Sequence, residues 1–307
     1  MAKNTKNKRL LIVFAALLVL AVVIFSNKNT KKESSFNKQL VEITKDDITQ
    51  LKLYPKLINK AEVTINKEGD QWTISDGTNS YRANNSMIES MVNALENLEA
   101  KSLVSNSKEK WDEYEVSDSL AACRVEAYNG SKKEADVIIG KFKFAQPRSM
   151  STYVRLTGKK QTYKVDGFLS STFNRKINDL RDKTVLKDLT TNWSKITFDY
   201  PADSSFVLTK VNNEWMVDGV MADSVSMAGY INTMKNVSGT TISDITPGGA
   251  VLFQITIDRD NLSPVTIQVK ENGDQKLLTS SENKDVWFND KSLIDKVFVP
   301  KSKFTIK

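Results

Sequence analysis

Apolar and polar residues alternate along Ile48-Thr49-Gln50-Leu51-Lys52-Leu53, and the alternation returns at Trp193-Ser194-Lys195-Ile196-Thr197-Phe198. A period of two predicts half-buried strands. A second strand follows in each place, Val63-Thr64-Ile65-Asn66-Lys67 and Phe206-Val207-Leu208-Thr209-Lys210. Each leads through a polar turn, Glu68-Gly69-Asp70-Gln71 or Val211-Asn212-Asn213-Glu214, to a tryptophan, Trp72 or Trp215. Strand, tight polar turn and strand predict a β-hairpin.

The period then switches in both stretches. After Asn84 the apolar positions are Ile88, Met91, Val92, Leu95 and Leu98; after Asp223 they are Met227, Tyr230, Ile231, Met234 and Val237. Steps of three and four put each set on one helix face, and Asn and Asp are favoured N-caps. The offset between the copies falls from 145 to 143 to 139 along these matches, with each change in a loop. Agreement in register over three elements predicts a duplicated module. Weaker correspondences extend it: Arg124–Tyr128 and Val137–Gly140 with Gln254–Ile257 and Val265–Val269, then Tyr153–Leu156 and Thr162–Val165 with Leu277-Leu278 and Val286–Phe288. A helix at about Phe168–Ile177 and a shorter one at Asp290–Val297 close the copies. The predicted fold class is α+β: two tandem, related modules of mostly antiparallel sheet, each with a packed helix.

Ahead of the modules lies Leu10–Phe25, sixteen residues without a charged or polar side chain, between Lys8-Arg9 and Lys28/Lys31/Lys32. As a helix it covers roughly 24 Å, and the stems of Arg9 and Lys28 extend its reach. The exit Val-Val-Ile-Phe-Ser-Asn-Lys lacks the small-residue pair that signal cleavage needs, and no cysteine follows for lipid attachment. The expected organisation is a cytoplasmic tail at 1–9, a transmembrane anchor at 10–25, a polar linker at 26–42, module 1 at 43–185 and module 2 at 186–307. A short basic tail before the segment orients the bulk of the chain outside the cytoplasm.

The formal charge of +7 changes meaning beside that anchor, because residues 1–34 contribute +6 of it. The folded part is close to neutral, which removes the electrostatic footprint of a nucleic-acid partner. Cys123 is the single cysteine, so no intrachain disulfide forms. Histidine is absent. That removes Ser-His-Asp and Cys-His catalysis, His-ligated zinc and the commonest general base near neutral pH. The two Ser-x-x-Lys matches, Ser35–Lys38 and Ser105–Lys108, lack the companion motifs of serine acyl enzymes, and no calcium-loop spacing is present. The expectation is a non-enzymatic protein without metal or cofactor.

One run concentrates binding chemistry. Arg148, Ser149, Ser151, Thr152, Tyr153 and Arg155 put hydroxyls, a phenol and two guanidinium groups in one short stretch. Such a set can hold a carboxylate, a phosphate or a partner strand. The competing reading turns Tyr153 into the core and leaves the arginines to structural pairs. The five tryptophans, at repeat-equivalent or alternating positions in several cases, read as core packing rather than sugar platforms.

The stretch Gln146–Leu156, with Tyr163–Asn174, Lys108–Val116 and Arg181-Asp182-Lys183-Thr184, resembles a bacterial envelope family catalogued as domain of unknown function four-three-four-zero. The form looks most like members from Bacteroidetes-type bacteria. The resemblance implies an inner-membrane protein with a periplasmic bulk, encoded beside ABC transporters of the gliding-motility type. It therefore implies the inner-membrane lipid bilayer and ABC transporter subunits as partners, and it carries over no catalytic residue. The leading expectation is a membrane-anchored accessory protein docking onto a transporter or envelope assembly. The alternative is a module binding an envelope glycan or lipid in a cleft between the two modules.

Overall fold

The computed structural model describes residues 14–15, 17–19, 37–145, 149–189 and 192–306. The expected cytoplasmic tail, most of the expected anchor and the start of the expected linker lie outside the described residues. Residues 14–15 and 17–19 are helical, and among the described residues no helix is long and apolar enough to cross a membrane.

Module 1 runs β1 (Gln50–Pro55), β2 (Val63–Glu68), β3 (Gln71–Ser75), β4 (Ser80–Arg82), α1 (Asn85–Glu96), β5 (Ala100–Ser105), β6 (Cys123–Asn129), β7 (Lys132–Ala145), β8 (Ser149–Leu156) and β9 (Thr162–Asp166), then α2 (Leu169–Phe173) and α3 (Ile177–Leu180). Its nine strands form one antiparallel sheet in the order β4-β3-β2-β1-β6-β7-β8-β9-β5. Module 2 repeats the plan with β11 (Trp193–Asp199), β12 (Phe206–Val211), β13 (Glu214–Val217), β14 (Val220–Met221), α4 (Ser224–Met234), β16 (Ile242–Ser243), β17 (Val251–Arg259), β18 (Leu262–Asn272), β19 (Gln275–Ser280), β20 (Asn283–Phe288) and α5 (Lys291–Val297). Its order, β14-β13-β12-β11-β17-β18-β19-β20-β16, is that of module 1 strand for strand. A duplicated α+β fold is what the alternating pattern requires, since each sheet buries one face against its own helices.

The inner faces follow the sequence pattern closely. Leu51, Leu53, Val63, Ile65 and Ile74 of module 1 pack with Ile88, Met91, Val92 and Leu95 of α1. In module 2, Ile196, Phe198, Phe206 and Leu208 pack with Met227, Tyr230 and Met234 of α4. The Asn84 side chain accepts from Met87 N at 3.1 Å, and that of Asp223 from Ser226 N at 2.8 Å, so both helices begin on the expected caps. Asn212 and Asn213, with φ of 51° and 68°, turn β12 into β13 as a tight hairpin asks.

The boundaries shift at both ends of module 1. Leu40 N donates to Leu98 O at 3.0 Å and Val41 is buried, so the module begins before 43 and the expected linker ends sooner. The counterpart in module 2 is β10 (Thr184–Lys187), paired antiparallel with β15 (Asn236–Ser238). By that equivalence module 2 begins near 183. The single closing helix expected at 168–177 is two short ones, α2 and α3.

The modules meet at Arg181. Its guanidinium lies 3.9 Å from the Tyr81 ring centroid, while its Nη2 donates to Asp285 O of module 2 at 3.2 Å. Arg82 pairs with Asp182 at 2.5 Å, and the Asn283 amide donates to Asp182 O at 3.0 Å.

Candidate functional site

The stretch 148–155 is mostly interior. Arg148 lies outside the described residues, and Ser149 is exposed at the start of β8. Ser151, Thr152, Tyr153 and Arg155 are buried. Thr152 Oγ1 donates to Gly167 O at 2.7 Å and accepts from Leu169 N at 3.1 Å, which fixes the entry to α2. Arg155 is 3% exposed: its Nε donates to Val116 O at 3.0 Å, its Nη2 reaches Asp118 at 2.8 Å, and its guanidinium lies 3.8 Å from the Trp111 ring centroid. Tyr153 meets Tyr114, with ring centroids 4.7 Å apart. These side chains clamp the connection 106–122 onto the outer face of the sheet, where Val116, Ala121, Ile138 and Tyr153 make a small second core. In place of an exposed binding run, the structure has an internal fastening. Its physical reason is that β8 is covered on both faces, so its hydroxyls and guanidinium are spent on neighbours.

Gly140 of β7 permits that fastening. A Cβ there would meet Tyr114 O at 2.5 Å and Val116 Cγ1 at 2.7 Å. Cys123 is buried beneath the sheet, where burial pushes its thiol up to about 12, so it is an inert core residue at neutral pH.

A concave surface lies elsewhere, within module 2, and a second, of about 700 Å³, lies within module 1 beside Lys38, Asn97 and Asp166. A cleft of about 1000 Å³ is floored by Tyr200, Phe253, Ile294, Phe298 and Val299. Polar and charged side chains surround it, among them Lys276, Lys291, Lys301, Asp203, Asp274 and Asp295. Tyr200 OH donates to Val299 O at 2.9 Å, and burial raises its phenol above the usual range, so it is a wall and not a proton donor to a ligand. The Tyr200 and Phe253 rings stand at 89° with centroids 5.7 Å apart, and Phe298 lies 5.7 Å from Phe253. Lys276 Nζ sits 5.1 Å from the Phe253 ring centroid.

Module 1 has a different loop at the same place. Strand register matches Cys123 to Phe253 and Pro55 to Tyr200. The loop after Pro55 is longer and makes a 3-10 turn at Lys56–Ile58, pinned where Leu57 N donates to Asn174 Oδ1 at 3.0 Å. Module 2 has the shorter loop 201–205 there. The cleft was unreadable from the sequence because its floor is drawn from positions 200, 253 and 294–299, which only the sheet brings together. Among the described residues no group of three or more Cys, Asp or Glu could hold a metal ion.

A family model described as Domain of unknown function (DUF4340) matches residues 72–287, from β3 of module 1 to β20 of module 2, so the match spans the joint. No curated protein and no solved structure matches the chain.

Proposed function

The chain belongs to this family of domains of unknown function, and we propose that it is a membrane-tethered, non-catalytic accessory protein that takes an amphiphile into module 2. The observation that carries the reading is the cleft of module 2, with its aromatic and aliphatic side chains and its lining of both charges. A floor of aliphatic and mutually packed aromatic side chains suits a hydrocarbon portion, and the mixed-charge rim suits a polar head. A glycan is less well served. Stacking on a sugar favours a flat exposed platform, and the perpendicular Tyr200–Phe253 pair does not form a continuous one.

The apolar run 10–25 is the proposed anchor, holding the modules beside the inner membrane on its periplasmic side. Association with an ABC-type transporter is the partner reading that the resemblance implies. Absence of histidine supports a role without acid–base catalysis.

The test is photocrosslinking of the full chain in bilayer discs that contain a phosphatidylglycerol with a diazirine on its acyl chain. Adducts are expected on peptides covering 200–205, 253 and 291–302, and Ser204→Trp, on the exposed rim, reduces them at least fivefold. Adducts confined to 10–25 overturn the reading. Co-purification from native membranes in mild detergent tests the transporter separately, with recovery of its subunits expected.

A further inference from the structure

Among the described residues of module 1, the exposed large apolar side chains are Leu57, Leu120, Phe144, Met150 and Phe168. Strand register puts all of them at one end of the sheet. Leu57 follows β1 and Leu120 precedes β6, whose ends pair as Pro55 with Cys123. Cys123 pairs with Ile139 of β7, and β7 runs on past it to Ala145. Phe144 and Met150 stand opposite each other on the β7–β8 ladder, and Ser151 pairs with Asp166, two residues before Phe168. The Phe142 and Phe168 ring centroids are 4.2 Å apart, so the hairpin and the entry to α2 share one apolar surface. Phe144, Met150 and Phe168 are 58%, 50% and 43% exposed, and such clustering marks a surface that is covered in use.

Module 2 lacks this projection. From the matched pairs Ile139–Val154 and Val269–Leu278, β8 reaches back five residues to Ser149, whereas β19 reaches back three to Gln275. The shorter hairpin closes on the polar turn Gly273-Asp274. The long apolar hairpin therefore belongs to the module that follows the apolar run 10–25 in the chain. Lys38 O accepts from Ala100 N at 2.7 Å, and Ala100 pairs with Val165, so the chain enters module 1 at this same end. Lys38 is thirteen residues past Phe25, a reach of at most about 45 Å.

Given the anchor proposed at 10–25, on which this rests, we propose that this end of module 1 docks on the bilayer. Phe144, Met150 and Phe168 enter the headgroup region of an anionic leaflet. The point of chain entry indicates the occupant, since a tether this short holds the apolar end within reach of the membrane that its other end spans. Charge agrees. No Asp or Glu occurs between Val137 and Val165, and Lys141 and Lys143 alternate with Phe142 and Phe144 on β7. Asp166, at the end of β9, is already paired with Lys101 at 2.7 Å. Lysines beside apolar tips suit the phosphates of an anionic leaflet, with their stems lying along the apolar surface.

The experiment uses the full chain reconstituted in phosphatidylethanolamine/phosphatidylglycerol vesicles that contain a lipid with a nitroxide on its acyl chain near the headgroup. Ser149→Cys, exposed beside Met150, and Ser131→Cys, on the exposed β6–β7 turn at the opposite end, each carry an environment-sensitive fluorophore. The native Cys123 is buried and stays unlabelled. Quenching at 149 is expected to exceed that at 131 at least threefold. F144D/M150D, which changes exposed side chains only, is expected to abolish the excess while the chain still floats with the vesicles. A chain that floats with equal quenching at 149 and 131 overturns the docking and leaves the anchor standing. So does an excess that survives F144D/M150D, or a blue-shifted but unquenched fluorophore at 149, the mark of a protein neighbour on the tip. A chain that does not float overturns the anchor, and the docking with it.

Discussion

On the outer face of module 1, Arg124 Nη2 reaches Glu126 at 2.5 Å and Asp136 at 2.6 Å, and Lys133 reaches the same two carboxylates at 2.7 and 3.0 Å. Tyr128 OH donates to Glu126 at 2.6 Å, and Lys52 pairs with Glu62 at 2.9 Å. On the matching face of module 2 the register puts Gln254, Thr256 and Thr266 where Arg124, Glu126 and Asp136 stand, and Thr197 where Lys52 stands. There Gln268 Nε2 donates to Gln254 Oε1 at 2.6 Å, and the threonines lie side by side across three strands. At these matched positions one sheet order therefore carries an ionic lattice in one copy and amide and hydroxyl groups in the other, with the Lys195–Asp258 pair at 3.1 Å beside them. The strand ladder and the inner face fix the fold, so the outer face is free to diverge. The inner faces diverge too, in size rather than polarity. Module 1 packs aliphatic residues where module 2 packs Phe198, Phe206, Tyr230 and Phe304.

The hardest test of that second difference is to shrink the aromatic core. Phe304 is fully buried, with ring centroids 5.3 Å from Tyr230 and 6.0 Å from Phe206. Phe304→Ala is expected to cost about 4 kcal/mol, and Leu180→Ala at the matching position of module 1 about 3 kcal/mol. Hydrogen exchange read peptide by peptide assigns each loss to its own module. Equal loss of protection in both modules from either substitution would show that the two cores unfold as one unit.

Next in size is the fastening on module 1. Gly140→Val drives a side chain into Tyr114 O and Val116, so it is expected to cost about 3 kcal/mol and to release the connection 106–122. Lys270 holds the equivalent place in β18, with its ammonium 5.8 Å from the Trp287 ring centroid. Lys270→Val is expected to change stability by less than about 0.5 kcal/mol. Proteolysis within 106–122 reads the release directly.

These sites also show what the sequence made legible. The hairpins and helices stood out because each has an internal period, from Ile48 to Leu53 or from Ile88 to Leu95. The edge strands β4, β14 and β16 have two or three residues and no period to detect. Lys38–Val41 reads as linker in the sequence because its partners lie near 98–100, beyond any local pattern. The run at 148–155 reads as a concentration of binding groups, yet from Ser151 to Arg155 both faces of its strand are covered. Its outer cover, 106–122, belongs to a part of the chain with no strand pattern. A glycine at 140 inside an apolar strand was the available signal that another backbone approaches there.

A smaller effect separates the outer faces by pH. Burial pushes the Asp136 carboxyl up, but hydrogen bonds from Arg124, Thr157 and Lys133 outweigh it and hold the group at about 2. Because the folded value lies below the ordinary carboxylate value of about 4, its stabilisation is full above that pH. It is lost as pH falls toward 2, an effect of about 2 kcal/mol. Asp136→Asn is expected to flatten this acid slope in β6 and β7 peptides. Thr266 has nothing to titrate, so β17 and β18 are expected to keep their protection over the same range. One acid-sensitive group of module 2 is at a different place: Asp290, held at about 2 chiefly by the Thr240 hydroxyl, begins α5.

The smallest effect tests where the copies agree. Asn84 and Asp223 each cap the helix that packs under its own sheet, and each has a backbone N–H bonded to the segment that closes its module. Replacement by Ala removes one cap bond in each case, and Asn84→Ala is expected to cost about 1 kcal/mol. The carboxylate of Asp223 adds an attraction to the helix N-terminus that Asn84 lacks, and salt screens it. Asp223→Ala is therefore expected to cost slightly more than Asn84→Ala in dilute buffer and the same at high salt. Urea titrations of both variants at two ionic strengths read that difference. A gap that persists in salt would assign it to helix packing instead, and the two caps would then be alike in sequence but not in function.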